Sequence, residues 1–599
     1  MTPTVSRSPT LAYMRGTHAH NSPDSRDTPF KTRRLSTVII MTVLGALSSA
    51  VFLVWAGYFF LLRPSARLDG INYRDLVEVV KIALAVVAGI GGAAALTVAV
   101  RKQKVAERQH ELSEVDANRQ DRRILNERFQ SAVEQLGKKE SAAVRIGGAY
   151  SLAKLADDWP AERQTRINVL CGYLRFPYES SNGIDGEREV RQTIVGIVRQ
   201  HLLRGADISW DGNLFDLSGA ILDHLDLSGI YLKKSKLRLR GCLVQVATFR
   251  MKSLHVAGGE VDARDLRIMD GATLDAQGCY LSDSGRISLA GSTISSGAVT
   301  FEDTYINGGH LKLEKVRVEG SGALNLSHLL ITSVPLAQKS PSPLSLDEAE
   351  VSGGTVNLAR IRIAIGPDRP EVAWSGGREK GGGQFVASFR RLNLADGRIS
   401  FSETIIPYGE FSFDCANFTG GVLDFECAKL EDCCLDFTGA KIDGGCLNFS
   451  NSHIGALLSS DALPCSGFVY EWLEGLKNVK DVSGRDMVWK KRPYGVVEFW
   501  DAELGSGHLK FDGASTRGAL LQFSGIRASS GRITFTGSQF DSSAISFWNA
   551  DLSGECEIEI QPFPYQGDVT VLYSQAWVGL SGRVVLGEQV ELLEVSAAD

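Results

Sequence analysis

At 599 residues the chain exceeds what one compact core organises, so two or more structural units are expected. A 44% hydrophobic and 22% charged composition excludes wholesale disorder, and 62 glycines with only 17 prolines and no Gly-X-Y period exclude collagen. The net charge of −6 divides unevenly: residues 1–204 carry 29 Lys+Arg against 20 Asp+Glu (+9), whereas residues 205–599 carry 35 against 50 (−15). A basic head and an acidic body point to two jobs, with a membrane near the head.

Residues 1–34 form a basic leader without apolar periodicity and are expected to be disordered, His18 and His20 included. Between Arg34 and Arg63 lie 28 uncharged residues, long enough to cross a bilayer, which predicts a transmembrane helix over 35–62. Trp55, Tyr58, Phe59 and Phe60 crowd one end, where amphipathic rings favour the headgroup zone. A second uncharged run, Ile82 to Val100, predicts a transmembrane helix over 76–100, and its Gly89-to-Ala95 stretch of mostly small residues allows close helix approach in lipid. A cleaved signal peptide is excluded by the length of the first apolar run and its long polar leader. Cations precede the first span (Lys31, Arg33, Arg34) and follow the second (Arg101, Lys102, Lys104), which places both termini in the cytoplasm of a cell-membrane protein. The ten cysteines are not spaced as a disulfide scaffold, in keeping with a reducing compartment.

Residues 101–137, charged and free of proline, read as an exposed connecting helix without a sustained heptad. A small helical neck over 138–204 follows, with helices predicted at Ala142–Ala156, Ala161–Leu174 and about 187–203. Its expected role is to cap what comes next, because a solenoid end needs a cover.

From there the repeats decide the fold. Leu217, Leu222, Leu227, Leu232 and Leu237 recur every five residues. Farther on the period becomes twelve: Phe401, Phe413, Phe425, Phe437 and Phe449, then Phe499, Phe511, Phe523, Phe535 and Phe547. Ile399, Phe411, Leu423, Leu435 and Leu447 keep the same period two residues earlier, and Ile406, Phe418, Leu430, Ile442 and Ile454 keep it five residues later. These positions are the expected repeat core. Each unit predicts a short strand, a turn and a second strand, often followed by Gly-Gly as at Gly420-Gly421 and Gly444-Gly445. Two units predict a turn of about 24 residues, against about 20 in the five-residue region, stacked at roughly 4.8 Å. Residues 333–384, with Pro335, Pro341, Pro343, Pro367 and Pro370, and residues 457–496, with Trp472, Trp489 and Lys490-Lys491-Arg492, read as insertions in a solenoid covering 205–599.

The five-residue run resembles the A-x-L-x-x pattern of the pentapeptide-repeat family, and the Gly-Gly-x-Leu-x-Phe-x-x-Ala-x-Leu units are similar to variants common in its actinobacterial members. The head resembles a two-transmembrane-helix subgroup through Glu127-Arg128-Phe129, Gln135-Leu136-Gly137, Val144-Arg145-Ile146-Gly147-Gly148 and Cys171-Gly172-Tyr173-Leu174-Arg175. The resemblance implies a mainly β chain: a right-handed β-solenoid preceded by two transmembrane helices and a small helical region. The chain departs from strict five-residue repeats after about Leu237.

No Walker loop, dinucleotide fingerprint, zinc-protease helix or nucleophile elbow is present, and no catalytic, cofactor or metal residue is assigned. Cys415/Cys427 and Cys434/Cys446 are each twelve apart and read as repeat slots rather than metal ligands. Asp414, Asp424, Glu426, Glu431, Asp432 and Asp436 form an acidic stretch that reads as a solvated face. The expected function is a non-catalytic, membrane-anchored scaffold or sensor component presenting a rigid solenoid to an unknown protein partner. Membrane lipid is the other expected partner, with homo-oligomerisation through the transmembrane helices or a solenoid end. Direct nucleic-acid binding is not expected. The alternative is an acidic, DNA-mimicking solenoid that binds a nucleic-acid enzyme such as a topoisomerase, a route in which some soluble members of the resembling family are implicated.

Overall fold

The computed structural model describes residues 73–177, 186–333, 342–364, 385–456, 495–563 except 542 and 553, 569–573, 583–587 and 590–594, with ten positions between 41 and 59. The chain divides into two compact units, residues 1–124 and 125–599.

In the first unit the ten described positions between 41 and 59 are helical, and the rest of the expected 35–62 span lies outside the described residues. Helix α1, Tyr73–Leu136, runs 64 residues without a break. The expected 76–100 and 101–137 elements are therefore one helix, about 96 Å long at 1.5 Å per residue. No proline interrupts it and its charged half is rich in good helix formers, which carries the helix through Arg101. Among the described residues this is the one helix long and apolar enough to cross a membrane; its most apolar 18-residue window has a mean hydropathy of 2.2 and none of that window is buried.

The second unit begins with the last turns of α1 and three further helices: α2 (Ala142–Asp158), α3 (Arg163–Leu174) and α4 (Glu187–Leu202). Ser141 caps α2, its hydroxyl accepting from the Val144 N–H. Gly148 lets α2 close on α1: a Cβ there would lie 2.6 Å from Leu136 N and 2.8 Å from Ala132 O. The Arg166 guanidinium is sandwiched between the rings of Phe129 (4.8 Å) and Trp159 (4.6 Å), and its charge is met by Glu162 at 3.0 Å.

The remainder is a β-solenoid of short parallel strands on four faces. Ladders through Phe215, Leu237 and Val261 define the first face, through Val244, Ile268 and Ile294 the second, through Leu274, Val299 and Leu324 the third, and through Leu232, Val256 and Leu281 the fourth. Leu217, Leu222, Leu227 and Leu232 place one buried leucine on each successive face of the first coil. The expected 20-residue turn is not what forms. Leu237 pairs with Phe215, an offset of 22. The corner accounts for the extra residues, because the Asp211 carboxylate gathers the N–H groups of Lys233, Lys234 and Ser235 there at 3.1–3.2 Å.

In the phenylalanine region the expected 24-residue turn holds: Phe411 pairs with Leu435, Phe418 with Ile442, Leu423 with Leu447 and Ile406 with Leu430. The rings form two stacks. Phe389, Phe413, Phe437, Phe499, Phe523 and Phe547 follow one another at 4.7–5.2 Å, nearly parallel. Phe401, Phe425, Phe449, Phe511 and Phe535 do the same at 4.7–5.0 Å from the opposite side. Rings of different stacks meet edge-on, as Phe413 and Phe425 do at 6.2 Å and 82°. Every expected core phenylalanine is at most 2% exposed. Gly445 shows why Gly-Gly recurs: its φ is 71° and a Cβ would meet the Gly421 carbonyl oxygen at 2.5 Å.

The first expected insertion is narrower than 333–384. Residues 342–364 continue the coil, with Leu344 bridging Leu311 and Ala387, and Glu350–Asn357 pairing on both sides. Aliphatic side chains fill the slots there, and the flanking prolines mask the period. Residues 334–341, 365–384 and 457–494 lie outside the described residues; Gly495–Glu498 re-enters the first-face ladder beside Cys434–Asp436.

Candidate functional site

The neck helices close the start of the solenoid. The Gln164 side chain of α3 acts as a substitute strand: its Nε2 donates to Leu214 O at 2.7 Å and its Oε1 accepts from Leu214 N–H at 2.9 Å. From α4, Arg191 donates to Leu174 O (2.7 Å) and Ile221 O (2.9 Å), and Arg199 donates to Ser228 O (2.6 Å). Trp210 is fully buried, stacks on His201 at 4.1 Å and donates to Asp157 at 2.8 Å. The head motifs converge on this cap. Arg145 donates to Tyr173 and pairs with Glu187, while the Tyr173 hydroxyl donates to Glu187 at 2.7 Å; desolvation and that carboxylate push the Tyr173 phenol up to about 12. Sequence reasoning predicted the cap but not Gln164, because an amide that mimics a strand has no spacing signature.

The cysteine and acidic patterns resolve into repeat positions. Cys415 and Cys427 sit at corners with φ of 56° and 57°, and Cys434 and Cys446 lie on the first-face and third-face ladders. No disulfide joins the described cysteines, and no group of three or more metal-binding side chains occurs among the described residues. The acidic stretch does not form one stripe. Asp424 is buried, pairs with Arg398 and accepts from Asn448 at 2.9 Å. Asp436 lies on another face, beside Glu498 in the next rung, and loss of hydration pushes its carboxyl up. Desolvation, with the Asp436 and Glu410 carboxylates nearby, pushes Glu498 up to about 8.

On three faces ion pairs bridge neighbouring rungs. Lys236 meets Glu260 at 3.2 Å on the first face, Lys441 and Arg527 flank Glu503 at 3.1 and 2.8 Å on the second, and Arg532 meets Glu557 at 2.7 Å on the third. The fourth face has such a pair in Arg517 and Asp541 at 3.3 Å. Beside its ladder a shallow groove of about 440 Å³ runs between Arg362, Ile405 and Lys429 on one wall and His328, Arg360, Glu403 and Cys427 on the other. Glu403 is held twofold by Arg360 (3.0 and 3.3 Å), which pulls its carboxyl below the usual range. Sequence reasoning missed this groove because its residues come from four coils with no common spacing.

No protein-family model matches the chain, and neither curated proteins nor solved structures yield a match.

Proposed function

We propose that the chain is a non-catalytic, membrane-anchored scaffold of the pentapeptide-repeat type, with two transmembrane helices, both termini in the cytoplasm, and a right-handed solenoid that presents its outer faces to a protein partner. The observation that supports this most is the filled interior: two phenylalanine stacks occupy the centre at ring-contact distance, which confines recognition to the outside of a rigid body. The exposed apolar stretch of α1 supports the anchor. Proximity labelling from the solenoid in native membranes tests the reading: a reproducible protein neighbour is expected, and turnover of a substrate with no neighbour recovered overturns it.

The DNA-mimic reading calls for a continuous acidic stripe. Ion pairs such as Lys236 with Glu260, Glu503 with Lys441 and Arg527, and Arg532 with Glu557 break up the acidic rows, which favours the scaffold. Inhibition of a topoisomerase by the full chain at stoichiometric concentration would reverse that preference.

A further inference from the structure

We propose that the fourth face is a docking strip for an extended acidic segment of a partner protein; this rests on the scaffold reading and adds to it the surface and the chemistry of the partner. The outward column that opens each fourth-face strand can be followed from Tyr231 to Gln539 through successive pairings, and it contains no carboxylate. Its counterpart on the second face includes Glu350 and Glu503, both ion-paired to cations in neighbouring rungs.

The column has two halves. In the first, Tyr231 and Tyr280 each meet His255 edge-to-face at 4.8 and 4.5 Å, and Tyr280 stacks on Tyr305 at 4.8 Å. In the second half, Arg362 and Lys429 flank Ile405 along the groove and make no ion pair among the described residues. They are two rungs apart, roughly 9.6 Å at the ordinary strand spacing. A polyproline II segment repeats every three residues at about 9.3 Å. Carboxylates at every third position of such a segment therefore meet both cations over the apolar Ile405 floor. Arg360 on the other wall is already neutralised by Glu403 and adds no free charge.

The test uses the full chain in nanodiscs of zwitterionic lipid and a fluorescent twelve-residue probe of four Glu-Pro-Pro repeats, read by anisotropy. Salt-sensitive binding is expected, and Arg362→Glu with Lys429→Glu should weaken it about tenfold. Lys441→Glu with Arg527→Glu on the second face is the control and should change it less than about twofold. Equal loss in both double variants, absence of binding, or tighter binding of a single-stranded oligonucleotide of matched charge each overturns the strip. The two readings fail separately. If proximity labelling finds a partner whose capture survives Arg362→Glu with Lys429→Glu, the strip is wrong and the scaffold stands. If the probe behaves as expected while the chain turns over a substrate and no protein neighbour is found in membranes, the scaffold is wrong.

Discussion

The early coils and the phenylalanine coils follow the same four-faced path with different fillings, and they differ in tolerance. Successive first-face offsets among the aliphatic coils are 22, 24, 26 and 24 residues, from Phe215 through Leu237, Val261 and Ile287 to Leu311. In the phenylalanine coils they are 24 from Ala387 to Phe411 to Leu435 and from Val497 to Leu521 to Ile545, and 26 in the step to Val571 beyond the last ring. Backbone pairing sets rungs at about 4.8 Å, and flat rings stack at nearly the same distance. Aromatic stacking and the hydrogen-bond ladder therefore share one repeat, which fixes the corner lengths as well. Branched aliphatic side chains interdigitate without demanding parallel planes, so their corners gain or lose residues.

The largest expected effect breaks this comparison directly. Inserting Gly-Ser after Gly439 moves Phe437 and Phe499 out of register, at a local cost of about 5 kcal/mol. The same insertion after Gly271, at a corner of the aliphatic coils, is expected to cost under half as much. Hydrogen exchange of the flanking strands reads both, because repeat arrays open locally rather than all at once. Equal loss of protection would show that corner length is fixed in both regions. Next in size, Phe425→Ala removes parallel contacts to Phe401 and Phe449 and edge contact to Phe413, for about 4 kcal/mol. Leu281→Ala in an early coil is expected to lose about 3 kcal/mol. If the leucine costs more, stacking adds nothing beyond burial.

How much of this was legible in the sequence follows from the same contrast. Phe401 through Phe547 announced their core role because stacking forces a fixed period on them. Leu344, Val351, Val356 and Ile363 did not, since aliphatic slots accept several residue types and prolines flank them. The turn length at Leu237 was underestimated because the five-residue rhythm does not record what Asp211 does at the corner. The cap was legible as helices, while Gln164 and the groove depend on residues brought together only by winding. The first membrane span remains an expectation resting on 28 uncharged residues.

Two intermediate effects test the ends of the comparison. Gln164→Leu leaves both backbone groups of Leu214 without their side-chain partner, at about 1–3 kcal/mol confined to the first coils. Exchange should quicken around Leu214–Asp216 and stay unchanged near Phe425; a uniform change would show that the cap controls the whole array. The phenylalanine region has its own sensitivity, to pH. Glu498 and Asp436 have folded-state pKa values above the unfolded ones, so the native state holds the extra proton. Stability of the local rungs is then fully present below about pH 4.5 and is lost as pH rises toward 8, a tenfold difference in proton affinity being worth about 1.4 kcal/mol. Glu498→Gln should flatten that slope across pH 5–8 in exchange measurements, while in the aliphatic coils burial lowers His255 and His310 and should give a slope of the opposite sign. A slope unchanged by the substitution would place the titrating group elsewhere.

The smallest effect concerns charges that decorate either filling. Arg527 donates to Glu503 at 2.8 Å and Lys441 approaches the same carboxylate at 3.1 Å, with all three side chains substantially exposed. Side-chain entropy and screening leave such pairs at about 0.2–1 kcal/mol, so Arg527→Ala should barely alter local opening, and added salt should remove what difference there is. Register in these coils would then come from the rings inside. A loss above about 2 kcal/mol that salt does not reduce would instead make the outer charge rows part of what holds the turns in step, and would move the difference between the two fillings from the core to the surface.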